Sequence, residues 1–245
     1  MSDVQSTEVL LIRHGQSENN ALPEHLRVPD PGLTAVGRQQ AQATAAWLGT
    51  RSLTSLYCSP FLRSLETVRP IAETTGLTVR VRGDLFELGG CYSGHTSGSE
   101  RGEAGLGRQQ LQARYPGWEI DENIADSGWW GRDYEQLEQG RLRAAQVAAW
   151  LAAEIATQEP GKHALVIHAD FKRLLLEALL AVDSLDQLRL TLGGNVLRDD
   201  GQESESQRSA VPWYNTGIST LQWQGGRWHL QTLNTTTHLP PHFLT

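Results

Sequence analysis

The chain has 245 residues, of which 39% are hydrophobic and 20% charged, so it is long enough to bury the core of an α/β domain. Its formal net charge of −7 argues against a general polyanion binder, because nucleic-acid-binding proteins usually present a net basic face. No apolar run approaches the ~18 residues of a membrane span and the polar N-terminus lacks a signal-peptide pattern, so we expect a cytoplasmic protein without nucleic-acid or membrane partners.

Short apolar runs alternate with helical patterns in the first third of the chain. Residues 9–12 are all apolar, which is typical of a strand covered on both faces of a parallel sheet. Thr34 is a suitable N-cap for a helix that ends near Leu48. A second strand is predicted near residues 53–57.

The second helix is predicted from serine and proline signals. Ser59 is expected to be its N-cap and Pro60 its first residue, since proline is favoured at that position. Pro70 predicts a kink or a restart of the helix before Gly76. A third strand is then predicted over residues 78–81.

The alternation stops in the middle of the chain and then returns. Residues 83–132 are rich in glycine, serine and charged residues, and we interpret them as an insertion folded over the sheet. A long alanine-rich helix is predicted over residues 134–157, a strand over 164–167 and a helix over 171–182.

The C-terminal part predicts a hairpin. After a polar stretch at residues 193–209, strands at 218–223 and 228–233 flank the Gln-Gly-Gly turn at 224–226. The elements together predict an α/β fold: a three-layer sandwich with a mostly parallel central sheet, helices on both faces and an inserted cap-like segment, with the option of one antiparallel edge strand.

We expect residues 1–245 to form a single domain with an insertion at about 91–132. Charged or titratable side chains follow several of the predicted strands, and ligands of open α/β sheets bind outside the carboxyl ends of the strands. Singly, each is more often a structural residue. Together at one edge they would be costly without a shared anion. The set comprises Arg13, His14, Arg63, Glu87 and His168.

Several segments carry sequence motifs with specific spacing. Residues 11–20 contain Arg-His-Gly with an asparagine six places after the histidine, 33–41 read L-T-x-x-G-x-x-Q-A, 59–67 read S-P-x-x-R-S-x-x-T, and 166–169 contain a second histidine. These motifs resemble the histidine phosphatase superfamily, in the branch of cofactor-dependent phosphoglycerate mutase. The resemblance covers most of the chain outside the insertion.

The resemblance implies that His14 is a nucleophile that forms a phosphohistidine. Arg13 and Arg63 would hold the phosphoryl oxygens and His168 would donate to them, so the resemblance implies no metal or cofactor. Elementary electrostatics agrees, because forked arginines can neutralise spread oxygen charge. The same cations should lower the pKa of His14 and leave an imidazole nitrogen unprotonated.

Further binding groups follow from the same resemblance. Asn20 would add a neutral hydrogen bond. Ala169 replaces the family's usual glycine after the second histidine, but it keeps the backbone N–H that could reach a phosphate oxygen.

The leaving alkoxide needs a proton donor, for which three carboxyl groups are candidates. The resemblance favours Glu87, which precedes a glycine-rich turn with slightly altered spacing. Asp170 is the competitor, because another branch of the superfamily uses an aspartate directly after the second histidine, although here Ala169 intervenes. Asp84 is a weaker third choice.

Other residues have uncertain parts in the site. Five residues are candidates for contacts to the rest of a substrate: His25, Arg27, Trp129, Trp130 and Arg132. For the two tryptophans we favour a structural role, in which they pack the insertion onto the domain. The cysteines are too few and too far apart for a disulfide scaffold or a thiolate metal site, and Cys91 lacks a basic partner that would make it a nucleophile.

The leading hypothesis is a histidine acid-type phosphatase, a metal-independent phosphomonoesterase whose partner is a small phosphorylated substrate or inorganic phosphate. The alternatives are a cofactor-dependent phosphoglycerate mutase and, more remotely, a catalytically silent phospho-ligand binding module. The insertion bears little likeness to the mutase segment, which favours hydrolysis. A homodimer is left open.

Overall fold

The computed structural model describes residues 7–94, 98–158, 160–183, 185 and 213–245. The polar stretch at 193–209 lies outside the described residues. The strands are β1 (Glu8–Arg13), β2 (Ser55–Cys58), β3 (Val79–Val81), β4 (Tyr92–Ser93), β5 (Arg101–Gly102), β6 (Glu119–Ile120), β7 (Lys162–Ile167), β8 (Ile218–Gln224) and β9 (Arg227–Thr235).

The described helices lie between strands along the chain, although β3, β4 and β5 and also β8 and β9 follow one another without a helix. The helices are α1 (Glu18–Ala21), α2 (Ala35–Leu48), α3 (Leu62–Thr75), α4 (Arg108–Arg114), α5 (Leu137–Trp150), α6 (Ala156–Gln158) and α7 (Ala169–Leu180). A π-helical turn (Leu151–Ile155) joins α5 to α6, and short 3₁₀ turns occupy Glu24–Leu26 and Pro241–Phe243. None of these described helices is long and apolar enough to cross a membrane.

Seven strands form the central sheet, in the order β6-β3-β2-β7-β1-β8-β9. Every pairing from β6 to β1 is parallel, while β8 pairs antiparallel with both β1 and β9. The predicted α/β sandwich with a mostly parallel sheet is therefore confirmed. The option of one antiparallel edge strand is corrected, since the reversed strand is β8, which lies inside the sheet, and β9 forms the edge.

The two faces of the sheet bury different side chains, because successive residues of a strand point to opposite faces. On one face Leu10 and Ile12 of β1 pack in a cluster that includes residues of α2 and α3. On the other face Val9 and Leu11 pack in a cluster with residues of α5 and α7. This double coverage explains why β1 is apolar throughout.

The predicted start of the second helix is wrong by a few residues. Phe61, and not Ser59, is the N-cap of α3, and Leu62 is its first residue. The Leu62 N–H donates to the Asp30 carboxylate at 2.8 Å, so a side chain from a distant loop satisfies the helix end. The helix also continues through Pro70 without a restart and ends at Gly76.

The predicted helix over 134–157 begins three residues late, at Leu137, and changes to the π-helical turn after Trp150. The insertion contains the hairpin β4–β5 and helix α4, and it adds β6 to the edge of the main sheet. It therefore extends the sheet as well as packing over it. The terminal hairpin is confirmed, and its turn places Gly225 and Gly226 at φ +60° and +79°, a conformation that suits glycine.

Candidate active site

The two site histidines follow neighbouring parallel strands. His14 comes directly after β1 and His168 directly after β7, and these strands are paired in register with Arg13 opposite Ile167. The His14 N–H donates to the Ile167 carbonyl at 2.9 Å. As a result the centroids of the two imidazole rings lie 5.1 Å apart, as expected for residues at the carboxyl ends of neighbouring parallel strands.

The hydrogen bonds of His14 define which ring nitrogen is basic. Nδ1 lies 2.7 Å from the Gly15 carbonyl oxygen, which can only accept, so Nδ1 carries the proton. Nε2 accepts a hydrogen bond from Arg63 Nε at 3.2 Å. The side chain is thus a neutral imidazole with the Nε2 lone pair directed at the guanidinium, where an anion would bind.

The ionisation of His14 is shifted in the same direction. Burial, with the positive charges of Arg63 and Arg13, lowers the pKa of His14 well below its ordinary value. The same causes, burial first and then Arg63, lower the pKa of His168. Both rings are therefore neutral at neutral pH, which is the form that a nucleophilic imidazole requires.

The two predicted arginines lie against these rings. Arg63, on the first turn of α3, is 9% exposed, and its guanidinium packs over the Phe61 ring at 3.8 Å. Arg13 Nη1 donates to the Trp213 carbonyl, while Arg13 Nε is buried without a hydrogen-bond partner. Burial lowers the pKa of both groups, but arginine keeps its charge at physiological pH.

His168 is held by two serine hydroxyls. Its Nε2 lies 2.7 Å from Ser59 Oγ and 3.3 Å from Ser64 Oγ. Its Nδ1 is buried without a hydrogen-bond partner. Arg13 Nε and His168 Nδ1 are thus two unsatisfied buried groups in one site, and such groups are costly in a folded protein unless a ligand satisfies them.

Glu87 is held at the N-terminus of α7. Its carboxylate accepts hydrogen bonds from the N–H groups of Phe171 at 2.9 Å and Asp170 at 3.3 Å, and from its neighbour Leu88 at 2.9 Å. Burial, and then the negative charge of Asp170, raise the pKa of Glu87 to about 7, although the bond from Phe171 and the charge of Arg63 oppose the rise. A carboxyl group with this pKa can exchange a proton near neutral pH.

The other two candidate carboxyl groups have different surroundings. Asp170 is close enough to raise the pKa of Glu87, so the structure brings it to the site. Asp84 is held by Arg82 in a two-point ion pair, with distances of 3.0 and 2.6 Å. This pairing turns Asp84 toward the neighbouring arginine, so Glu87 and Asp170 remain as the two candidates for the proton donor.

The predicted amide and backbone ligands lie in two helices, Asn20 in α1 and Ala169 at the start of α7. Asn20 Oδ1 accepts from the Ser17 N–H at 3.1 Å and from Asn215 Nδ2 at 3.3 Å, so the carbonyl end of this amide caps α1. Ala169 is the first residue of α7, directly after His168. Their binding to a phosphoryl group stays a prediction.

The tryptophans of the insertion pack against two phenylalanine rings, Phe61 and Phe86. Trp129 is 8% exposed and lies edge-on to Phe61, with centroids 4.6 Å apart, while Trp130 lies edge-on to Phe86 at 4.8 Å. Packing of the insertion is therefore the observed role. The Arg132 guanidinium lies over the Trp130 ring at 4.2 Å.

The 3₁₀ turn Glu24–Leu26 carries His25, and the exposed Arg27 follows it, within 3.9 Å of Glu24.

Sequence reasoning missed several groups that hold the predicted ones in place. Thr67 Oγ1 accepts from the Gly15 N–H at 2.9 Å, and Asn215 Nδ2 donates to the His14 carbonyl at 3.0 Å. Ser59 Oγ, expected as a helix cap, accepts from the Phe61 N–H at 3.3 Å and also bonds His168. Lys172 is fully buried, and its Nζ donates to the Gly217 carbonyl at 2.8 Å. Its place four residues after His168 on a helix was the available signal.

The described residues also bear on metals, thiols and cavities. They contain no group of three or more His, Cys, Asp or Glu side chains that could hold a metal ion. Cys58 and Cys91 are free and buried, and burial raises the pKa of Cys91 to about 12. A cleft of about 1120 Å³ opens between the insertion and α5, but none of the five predicted catalytic residues lines it.

The carboxyl ends of neighbouring strands thus bring together neutral imidazoles, arginines and a carboxyl group with a raised pKa, an arrangement suited to a phosphate-like anion. The sequence matches the profile of the histidine phosphatase superfamily (branch 1) over residues 9–197. The chain belongs to this superfamily.

Relatives differ in the share of their length that is matched. An uncharacterized protein of Mycobacterium tuberculosis is 33% identical over 46% of this chain and 55% of its own length, so the chain spans about half of that relative. Glucosyl-3-phosphoglycerate phosphatase of the same species is 29% identical over 64% of each chain. A probable phosphoglycerate mutase GpmB of Enterobacter sp. (strain 638) is 28% identical over 86% of this chain and 89% of its own.

Solved structures resemble the fold over nearly the whole chain. Mycobacterial glucosyl-3-phosphoglycerate phosphatase with VO3 has a TM-score of 0.56 at 22% identity, covering 94% of this chain and 99% of its own. A mutant phosphoserine phosphatase of Entamoeba histolytica, in complex with phosphoserine, has a TM-score of 0.59 at 21% identity, covering 96% and 100%. At these identities the likeness shows the fold.

Proposed function

We propose that the protein is a metal-independent phosphomonoesterase that hydrolyses a small phosphorylated metabolite through a phosphohistidine on His14. The observation that carries the proposal is the pair of buried, unsatisfied groups, Arg13 Nε and His168 Nδ1, beside a neutral histidine. A phosphoryl group would satisfy both. Membership of the superfamily and the named phosphatases among its relatives support hydrolysis.

In the first step His14 Nε2 attacks phosphorus in line and forms the P–N bond while the P–O ester bond breaks. The electron pair of that bond goes to the leaving oxygen, which takes a proton from the Glu87 carboxyl group. Arg13 and Arg63 balance the charge spread over the phosphoryl oxygens, and His168 donates to one of them.

In the second step water attacks the phosphoryl group and the P–N bond breaks. Glu87, now a carboxylate, takes a proton from the water, and the electron pair returns to His14 Nε2. One group can serve both steps because its pKa of about 7 makes both protonation states accessible at neutral pH. Inorganic phosphate leaves and the site returns to its starting state.

The direct test is phosphate release by purified protein in the presence of EDTA. A panel of sugar phosphates, phosphoglycerates, nucleotides and phosphopeptides would identify the substrate class, with an aryl phosphate as the general reporter. We expect release that EDTA does not reduce and that His14→Ala abolishes while the protein stays folded. Release that requires an added metal ion would contradict the proposal.

A cofactor-dependent phosphoglycerate mutase is the second candidate, since GpmB proteins match most of this chain. The same assays with phosphoglycerate, with and without bisphosphoglycerate, separate the two. Isomerisation that exceeds phosphate release in the presence of bisphosphoglycerate would favour the mutase. A catalytically silent binding module would bind phosphate but would not release phosphate from any of the esters.

A further inference from the structure

A buried ion pair lies behind the turn that carries Glu87. Arg143, on α5, and Glu135, just before α5, are joined by two hydrogen bonds, Nε to Oε1 at 2.9 Å and Nη2 to Oε2 at 2.5 Å. Their side chains are 8% and 6% exposed. Replacing such a pair with apolar side chains often leaves stability unchanged, so stability alone is a weak reason for it to exist.

The pair holds the backbone on both sides of Glu87. Arg143 Nη1 donates to the carbonyl oxygens of Asp84, at 2.9 Å, and Phe86, at 3.0 Å. The Glu135 N–H donates to the carbonyl of Gly89 at 3.2 Å. The Arg143 side chain thus holds the segment that enters Glu87, and the backbone of its partner Glu135 holds the segment that leaves it.

The same guanidinium also packs against the group that anchors the carboxylate. It lies between two rings, 3.6 Å from the centroid of Phe86 and 4.0 Å from that of Phe171. Phe171 is the residue whose N–H donates to Glu87 at 2.9 Å. Arg143 therefore contacts Phe86, the residue before Glu87, and Phe171, whose N–H orients the Glu87 side chain.

Arg143 is not itself placed to hold the phosphoryl group. Its Nε, Nη1 and Nη2 atoms already bond Glu135 or the backbone. Its backbone contacts act on the Glu87 segment, which lacks the regular hydrogen bonds of a helix or strand. Together with burial, which is the main cause, its positive charge also lowers the pKa of His168.

We propose that Arg143 and Glu135 are positioning residues that aim the Glu87 carboxyl group at the leaving oxygen. The inference rests on the proposed function, in which Glu87 is the proton donor. Misplacement of a catalytic group by about 1 Å can cost on the order of 10²-fold in rate, so a rigid backbone support is required.

The test is a series of substituted phenyl phosphates whose leaving groups differ in pKa. The slope of log kcat/KM against leaving-group pKa reports how much proton donation assists the first step, which includes departure of the phenol. Wild type should give a shallow slope and Glu87→Gln a steep one. Arg143→Met should approach the steep slope, losing on the order of 10²-fold with the poorest leaving group and little with nitrophenyl phosphate.

Conservative variants keep the test valid if Arg143→Met does not fold. Arg143→Lys retains the charge but not the planar fork, so its slope should lie between those of wild type and Arg143→Met. Glu135→Gln keeps the size of the side chain and should steepen the slope as well. A merely structural role would lower thermal stability in these variants without changing the slope.

Two control variants remove other arginines that form ion pairs, one exposed and one buried. Arg141→Met removes an arginine of the same helix that pairs with Glu138 at 2.6 Å and is 43% exposed. Arg173→Met breaks another buried ion pair, with Glu177 at 3.3 Å. We expect both to keep the shallow wild-type slope, even where Arg173→Met lowers the melting temperature.

The outcomes separate the inference from the proposed function. A steep slope for Glu87→Gln with wild-type slopes for Arg143→Met, Arg143→Lys and Glu135→Gln would overturn the positioning role alone. A wild-type slope for Glu87→Gln would overturn the proton-donor assignment, and the inference with it. A uniform loss across the series in the Arg143 variants would also contradict positioning of the acid.

Discussion

The anion-binding groups and the proton donor lie in regions that are built differently. Arg13 ends β1, His14 and His168 come directly after β1 and β7, and the register of those paired strands fixes their spacing. Glu87 comes six residues after the end of β3, in a segment held by contacts from α5 and α7. The sheet thus provides the charge-neutralising part of the site, and irregular backbone provides the part that moves protons.

The difference has a physical consequence. Residues at strand ends inherit the rigidity of a sheet that is buried on both faces, so changes there should act through charge and hydrogen bonding. A group on an irregular segment, such as the Glu87 carboxyl group, depends on many separate tertiary contacts. Changes there should act through the orientation of the carboxyl group and through its pKa. The following predictions test that division, from the largest effect to the smallest.

Removing a cation from the anion-binding groups should have the largest effect, and Arg63 supplies that cation from the first turn of α3. Arg63→Met should lower kcat/KM for an aryl phosphate by about 10²–10³-fold, because a preorganised donor to the phosphoryl oxygens is lost. The loss should be similar for good and poor leaving groups. Arg69→Met, on the same helix, is the matched control, since Arg69 is exposed and pairs with the exposed Glu73. Equal effects of the two variants would contradict the division.

The pH dependence should report the proton-donor region. Glu87 must be protonated to act as an acid, and its pKa is about 7, so kcat/KM for a poor leaving group should fall as the pH rises above about 7. The ratio to kcat/KM for nitrophenyl phosphate largely cancels the ionisation of the substrate. Asp170→Asn removes a negative charge that raises the pKa of Glu87, so the fall should move to lower pH.

Two other results would change this assignment. If the fall in the ratio stays at the same pH in Asp170→Asn, the charge of Asp170 does not control the donor. If Asp170→Asn produces the steep leaving-group dependence and Glu87→Gln does not, the donor is Asp170.

A smaller effect is expected from the turn after Glu87. Gly90 has φ +77°, and a Cβ atom there would lie 2.2 Å from the Trp130 ring. Gly90→Ala should destabilise the protein by about 1–3 kcal/mol through strain and overlap, as measured by urea unfolding. Gly98 has φ +82°, and no atom of the described residues lies within 4 Å of its Cβ position, so Gly98→Ala isolates the backbone cost and should destabilise less. Equal losses of stability in the two variants would show that the Trp130 ring moves aside at little cost.

The sequence predicted the sheet region better than the turn. The apolar runs and the motifs around His14, Arg63 and His168 located the strand ends, because strand patterns and close spacing are local signals. The bond from Ser59 to His168 was missed, since the histidine is far away in sequence. The support of Glu87 by Arg143 was missed for the same reason, because 56 residues separate two groups that only the folded chain brings together.

The central claim is that His14 Nε2 carries the phosphoryl group. Wild-type protein mixed with an aryl phosphate and quenched rapidly in alkali should show a transient mass increase of one phosphoryl group, on the peptide that contains His14, and His14→Ala should show none. The burst of phenol should match the amount of phosphoprotein. Steady phosphate release without a burst or a phosphorylated peptide, or a phosphoryl group on another residue, would contradict the account.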